Sequence, residues 1–392
     1  MAADTGDGHT GSDRRDRTLF LVATFFYWAS LYLYVPILPV YAESVVGSLT
    51  LVGVVIASYA VPQLLLRIPL GLRFDAVTRR KPLVLASLAM CVVGALGLAV
   101  ADDVWLLSLA RGATGVAAAG WVAFSVFFAS YSSREGAARS IGTINSVNQM
   151  ALVAATGSGG VIADALGYGA TFYGAALLAL LGIAALAPAR EPRGETRSES
   201  GTVEFKRVAL RPLLVAGAGM SVLLQFASFA SVFGFVPVYG ASIGASSSQL
   251  GIITMAALAA AAVAAYSSVR LAERVGYSAA LVVGALVMSC ALFLVPMSQT
   301  PAQLALVQVA NGFGRGSLST LLMALALRSA PPGARATAMG IYQAVYSIGM
   351  LAGPLISGVI AESWNLDVVF RQCGILTLVL ALAALHPAVR RA

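Results

Sequence analysis

Apolar stretches of about 20 residues alternate with short charged segments along the whole chain, each long enough to cross a ~30 Å hydrocarbon core as a helix. They fall near 18–41, 48–70, 82–100, 104–130, 140–163 and 168–188, then near 210–236, 247–268, 278–297, 303–328, 336–360 and 368–386. The pattern predicts an all-α integral membrane protein of twelve transmembrane helices, six in each half. High Gly and Ala content suits close helix approach in lipid, and no period-two alternation marks β-barrel strands. Residues 1–17 are expected as a disordered tail, 189–209 as a linker between bundles at 18–188 and 210–386, and 387–392 as a second tail.

The two halves repeat each other at one constant offset. Pro39-Val40-Tyr41 returns 198 residues later as Pro237-Val238-Tyr239, Ala29-Ser30 as Ala227-Ser228, and Gly53 as Gly251. Val161-Ile162-Ala163-Asp164 returns as Val359-Ile360-Ala361-Glu362. An offset held over that distance requires nearly equal helix and loop lengths in both halves. Parallel repeats about an axis along the membrane normal are one way secondary transporters are built, with the substrate held at the repeat interface near the midplane.

Charge sets the orientation. The chain is 59% hydrophobic and only 11% charged, where soluble domains carry roughly 25% charged residues. All of its 25 basic side chains except Arg67, Arg111, Arg315 and Arg371 fall in loops and tails on one face of the predicted topology. The opposite loops carry only acids: Glu43, Asp102, Asp103, Asp164, Glu362 and Asp367. The positive-inside rule then places both termini in the cytoplasm of a multi-pass protein of the cell membrane. The formal charge of +8 is a topology signal, so no nucleic-acid partner is expected. Cys91, Cys290 and Cys373 lie one per span without metal-ligand spacing, so neither a metal nor a cofactor is expected.

After the second span the chain reads Gly71-Leu72-Arg73-Phe74-Asp75-Ala76-Val77-Thr78-Arg79-Arg80-Lys81, and its repeat reads Arg270-Leu271-Ala272-Glu273-Arg274-Val275-Gly276. This resembles the G-x-x-x-D-[RK]-x-G-[RK]-[RK] motif of the major facilitator superfamily, with Ala76 and Thr78 as departures. The resemblance implies two six-helix bundles that rock about a central site. It also implies a conformational switch at Gly71, Asp75, Arg79 and Arg80, mirrored at Glu273, Arg274 and Gly276, that latches one state; the plainer reading is a solvated loop that sets topology. The family's antiporter motif is degraded in the fifth span to Gly159 and Gly160, but its repeat keeps Gly349, Gly353, Pro354 and Gly358. These residues are expected as a hinge or packing seam.

Candidate chemistry lies in the spans. Arg111, in Leu109-Ala110-Arg111-Gly112-Ala113-Thr114-Gly115, resembles the family's R-x-x-x-G element and sits roughly 10 Å into its span. Arg315 lies near the middle of its span, where a charge costs about 2.5–3.5 kcal/mol unless it faces a cavity or a partner. Arg67 and Arg371 are close enough to helix ends to snorkel. Asn145, Asn148 and Gln149 share one helical face, and Tyr342, Gln343 and Tyr346 stand on the matching face of the repeat. Tyr27, Trp28 and Gln225 complete the candidate substrate-binding set; each has an interhelical packing role as its ordinary alternative. No carboxylate or imidazole lies deep in a span, so protons, as a coupling ion, would need helix-end acids such as Asp75, Glu43 or Glu273. The expectation is a monomeric secondary carrier of small organic molecules, of the drug and metabolite efflux type, with an organic-anion uptake carrier as the alternative. A membrane-embedded enzyme is disfavoured because no deep His, Asp pair or phosphate-binding loop is present. A transporter-derived sensor is disfavoured because a soluble output domain is missing.

Overall fold

The computed structural model describes residues 7–74, 80–129, 131, 137–191, 205–328 and 335–390. Among them all regular structure is helical. The first half runs α1 (Asp7–Tyr32), α2 (Leu38–Val46), α3 (Leu49–Ser58), α4 (Ala60–Phe74), α5 (Lys81–Val100), α6 (Val104–Ala119), α7 (Trp121–Ala129), α8 (Ala137–Leu166) and α9 (Tyr168–Leu186). The second runs α10 (Phe205–Ala209), α11 (Pro212–Ala230), α12 (Val236–Ser242), α13 (Ser247–Val275), α14 (Tyr277–Leu294), α15 (Pro301–Arg328), α16 (Arg335–Ser363), α17 (Leu366–Ala384) and α18 (Pro387–Arg390).

Among the described residues ten segments are long and apolar enough to cross a membrane, including the joined pairs α3–α4 and α6–α7. The first and tenth of the twelve expected spans fall short for local reasons. α15 is an unbroken helix of 28 residues, but Gln303, Gln308, Asn311 and Arg315 lower its mean hydropathy. The first span breaks after Tyr32 and resumes as α2. Pro36 has no N–H to continue the ladder, and the intervening residues close tighter turns, with Val35 N donating to Tyr32 O and Ile37 N to Tyr34 O. The repeat is interrupted at the same offset: residues 231–235 form a π-helical turn before α12. Pro39 and Pro237 sit in the first turn of the resumed helices, where a missing N–H costs nothing. Both halves therefore kink the helix that faces the molecular centre.

The halves meet along two seams, α3 against α16 and α8 against α13. Glycine makes both possible. A Cβ on Gly53 of α3 would stand 3.2 Å from Gly358 Cα of α16 and would collide with the Pro354 carbonyl. A Cβ on Gly160 of α8 would stand 2.9 Å from Gly251 Cα of α13. These two pairs are each other's repeats, and both crossings lie toward the face whose loops are acidic.

Candidate functional site

A cavity of about 410 Å³ lies between the two halves. Its polar wall comes from the second halves of α4 and α15 and the first halves of α8 and α16, the halves that run to basic loops. The cavity thus lies on the basic-face side of the glycine crossings. The internal repeat is visible in its lining: Arg67 is paired by offset with Ala265, Trp121 with Ser319, Asn145 with Gln343 and Asn148 with Tyr346, and all eight line it. The equivalent positions have diverged in charge and size, so a symmetric scaffold encloses an asymmetric site.

Of the residues singled out from sequence, the cavity brings together Trp28, Asn145, Asn148, Gln149, Arg315, Gln343 and Tyr346. Asn145, Asn148 and Gln149 enter as one face of α8 because positions i, i+3 and i+4 lie on the same side of a helix. Four others do not line it. The Arg111 guanidinium is buried against the Tyr59 ring at 4.3 Å and the Tyr34 ring at 5.7 Å, with weak bonds to Tyr34 Oη and Thr114 Oγ1. Tyr27 donates its hydroxyl to Ala117 O at 2.6 Å and stacks on Phe124. Tyr342 accepts from Ser221 Oγ at 2.7 Å, and Gln225 is half-buried on α11 away from the lining.

Arg67, read from sequence as a snorkelling residue, instead lines the cavity. It donates to Tyr346 Oη and Gln63 Oε1, and its guanidinium lies 5.1 Å from the Tyr346 ring. Tyr32, Trp121 and Phe233 were also missed; the kinks at 33–37 and 231–235, which bring Tyr32 and Phe233 together at 6.2 Å, carry no motif. The signal that was available for Arg67 is Gln63 one turn before it, a polar pair on one face of an apolar span.

The electrostatics are one-sided. Arg67 and Arg315 contribute two positive charges, and no Asp, Glu or His is among the described lining residues. Arg315 lies 5.4 Å from the Phe233 ring, and its Nε has no hydrogen-bond partner among the described residues. Trp28 Nε1 is likewise buried without an acceptor. Donors of this kind are ordinarily satisfied by protein, water or ligand acceptors.

The switch candidates divide by position. Asp75 and Arg79 lie outside the described residues. Gly71 ends in α4, while Arg80 precedes α5 and gives its backbone N–H to Glu191 Oε1 at 2.6 Å. Glu273 and Arg274 are exposed at the end of α13. Gly276 ends that helix with φ of 88°, a conformation that side chains with a Cβ rarely adopt. The hinge candidates are packing contacts of two kinds. Gly349 and Gly353 press α16 onto Val222 and Phe226 of α11 in their own half. Gly159 presses on Leu33, again within one half, whereas Gly160, Pro354 and Gly358 form the seams between halves.

Comparison with known proteins agrees with this architecture. The chain is 29% identical over 191 residues to the inner membrane transport protein YajR of Escherichia coli, a match spanning 47% of this chain and 41% of that relative. It is 26% identical over 361 residues to the multi-drug resistance efflux pump PmrA homolog of Lactococcus lactis, covering 88% of both. Its fold superposes on the nucleoside transporter NupG with a TM-score of 0.80 at 13% identity, covering 94% of this chain and 98% of that one. On the human organic anion transporter MFSD10 the TM-score is 0.68 at 16% identity, covering 95% and 99%. The model of the Major Facilitator Superfamily matches residues 20–242 and again 218–391, and with its twofold helical repeat and central cavity the chain belongs to that superfamily of membrane transporters.

Proposed function

We propose that the protein is a secondary carrier of small organic anions, bound between Arg67 and Arg315 and moved by rocking of the two halves. The observation that carries this reading is the pair of arginines in a cavity with no carboxylate among its described lining residues. An anionic ligand converts unpaired buried donors into charge-assisted hydrogen bonds, roughly twice as strong as neutral ones. Trp28, Tyr32, Trp121 and Phe233 give the apolar part of that ligand a wall, and Asn145, Asn148, Gln149 and Gln343 give polar contacts for orientation.

The basic face is cytoplasmic on the positive-inside rule, so the cavity is reached from the cytoplasm and both termini lie there. An efflux direction fits this access, and the efflux relative of similar length supports it. A second reading, export of neutral or cationic compounds, draws on that same relative and on the aromatic lining. Binding measured on purified protein against matched anionic, neutral and cationic aromatic compounds separates the two. The anionic reading requires tightest binding to carboxylates or sulfonates, with Arg315→Gln weakening anions at least about tenfold, some 1.4 kcal/mol, and leaving neutral analogues nearly unchanged. Equal affinity of wild type and variant for anions would overturn it.

A further inference from the structure

The face with acidic loops is closed by more than glycine packing. Asp164, in the last turn of α8, reaches across to the second half: Oδ1 accepts from Ser247 N and Oδ2 from Ser248 N, both at 2.9 Å. Those amides open α13. Glu362, 198 residues on and in the last turn of α16, reaches across to the first half. Its Oε2 accepts from Leu49 N at 2.5 Å, from Thr50 N at 3.3 Å and from Ser48 Oγ at 3.1 Å. Those groups open α3. Each carboxylate thus satisfies free N–H groups and opposes the positive end of a helix belonging to the other half. The two contacts are repeats of each other.

We propose that Asp164 and Glu362 are the paired gate residues of transport: their bonds hold the acidic face shut while the cavity opens to the basic face, and both must break for the opposite opening. The physical reason is that these bonds exist only between halves. A cap inside one rigid half is equally present in both states and biases neither, since only an interaction that differs between two states shifts their balance. Asp103 supplies that case within the molecule. It caps its own helix α6, accepting from Trp105 N at 2.6 Å and Leu106 N at 2.9 Å. The glycine crossings bring the helices together, and the carboxylates add a directional, breakable bond at each. Because Asp164 and Glu362 act at separate seams, their effects multiply.

The proposal rests on the two-state reading given above. It is tested by pulsed dipolar spectroscopy on the full chain in lipid nanodiscs, with spin labels at Ser44→Cys and Ser242→Cys. These exposed positions lie on the acidic face in opposite halves, and Cys290→Ser removes the exposed native thiol. Asp164→Ala and Glu362→Ala should each raise the ratio of long to short distances at least about fivefold, and the double variant about 25-fold. Asp103→Ala should leave the ratio at the wild-type value while lowering thermal stability. Asp164→Glu and Glu362→Asp, which keep the charge, should restore most of the short distance and guard against a folding defect. Unchanged ratios in the double variant, or an equal shift from Asp103→Ala, would overturn the proposal. A single unchanging distance in wild type across all substrates would instead overturn the two-state reading.

Discussion

Two arginines that look alike in sequence have opposite surroundings. Arg111 is enclosed by Tyr34 and Tyr59, and two desolvated cation–π contacts of about 1–2 kcal/mol each offset the ~2.5–3.5 kcal/mol of burying its charge. Arg111→Met should therefore shift thermal stability by no more than about 1 kcal/mol and leave anion affinity within about twofold. A tenfold loss of anion binding in that variant would return Arg111 to the substrate site. The Nε of each arginine lacks a hydrogen-bond partner among the described residues, but Arg315 has a single ring contact and lines the cavity, so its charge is available to a ligand; Arg315→Lys should recover only part of the anion affinity lost in Arg315→Gln, because an ammonium lacks the planar fork. Titration of the purified variants with one carboxylate ligand checks both statements. Sequence could show that both arginines were costly but not which way each pointed. Adjacent residues stand about 100° apart around a helix, so Trp28 enters the cavity while Tyr27 turns to Ala117, and no single-sequence argument fixes that rotation.

At the scale of helices, the glycines separate into those that build a half and those that let the halves meet. Gly353 lies under Phe226 of α11 within one half, so Gly353→Leu overpacks a seam present in every state and should cost about 1–3 kcal/mol of stability. Gly160 lies against Gly251 across the halves, so Gly160→Val should disfavour the closed acidic face and expose labelled positions there to a water-soluble thiol reagent. If Gly353→Leu alters labelling while Gly160→Val does not, the assignment of the two seams is reversed. The repeat offset was legible because it depends only on counting, and it carries over to paired seams, paired kinks and paired cavity positions. The kinks themselves were not: Pro36 and the π turn at 231–235 differ in sequence and type, and they share only a proline two residues past the break, Pro39 and Pro237. The tenth helix was found by its length between charged loops although its polar residues hide it from a hydropathy criterion.

For the molecule as a whole, the arginines constrain the transport cycle as well as the ligand. Passing from one open state to the other requires the cavity to close on both sides, and an empty cavity then strips water from Arg67 and Arg315 with no anion present. Arg67 retains Gln63 and Tyr346 as partners, so the penalty falls mainly on Arg315. At about 2.5–3.5 kcal/mol for one such charge, return of the empty carrier is slowed roughly 70- to 370-fold relative to return with an anion bound. The carrier should therefore favour exchange of one anion for another over net movement. No carboxylate or imidazole among the described lining residues can carry a proton in its place; Glu43, whose carboxyl partial burial pushes above its ordinary range, sits outside the cavity in α2. Proteoliposomes preloaded with an unlabelled anionic substrate should take up labelled substrate at least about tenfold faster than empty ones. Collapsing a pH gradient with an ionophore should leave that exchange unchanged, and Arg315→Gln should narrow the difference between loaded and empty vesicles by speeding the empty return. Equal uptake into loaded and empty vesicles, with accumulation that follows the pH gradient, would show that the positive cavity does not govern the cycle and that a helix-end acid does.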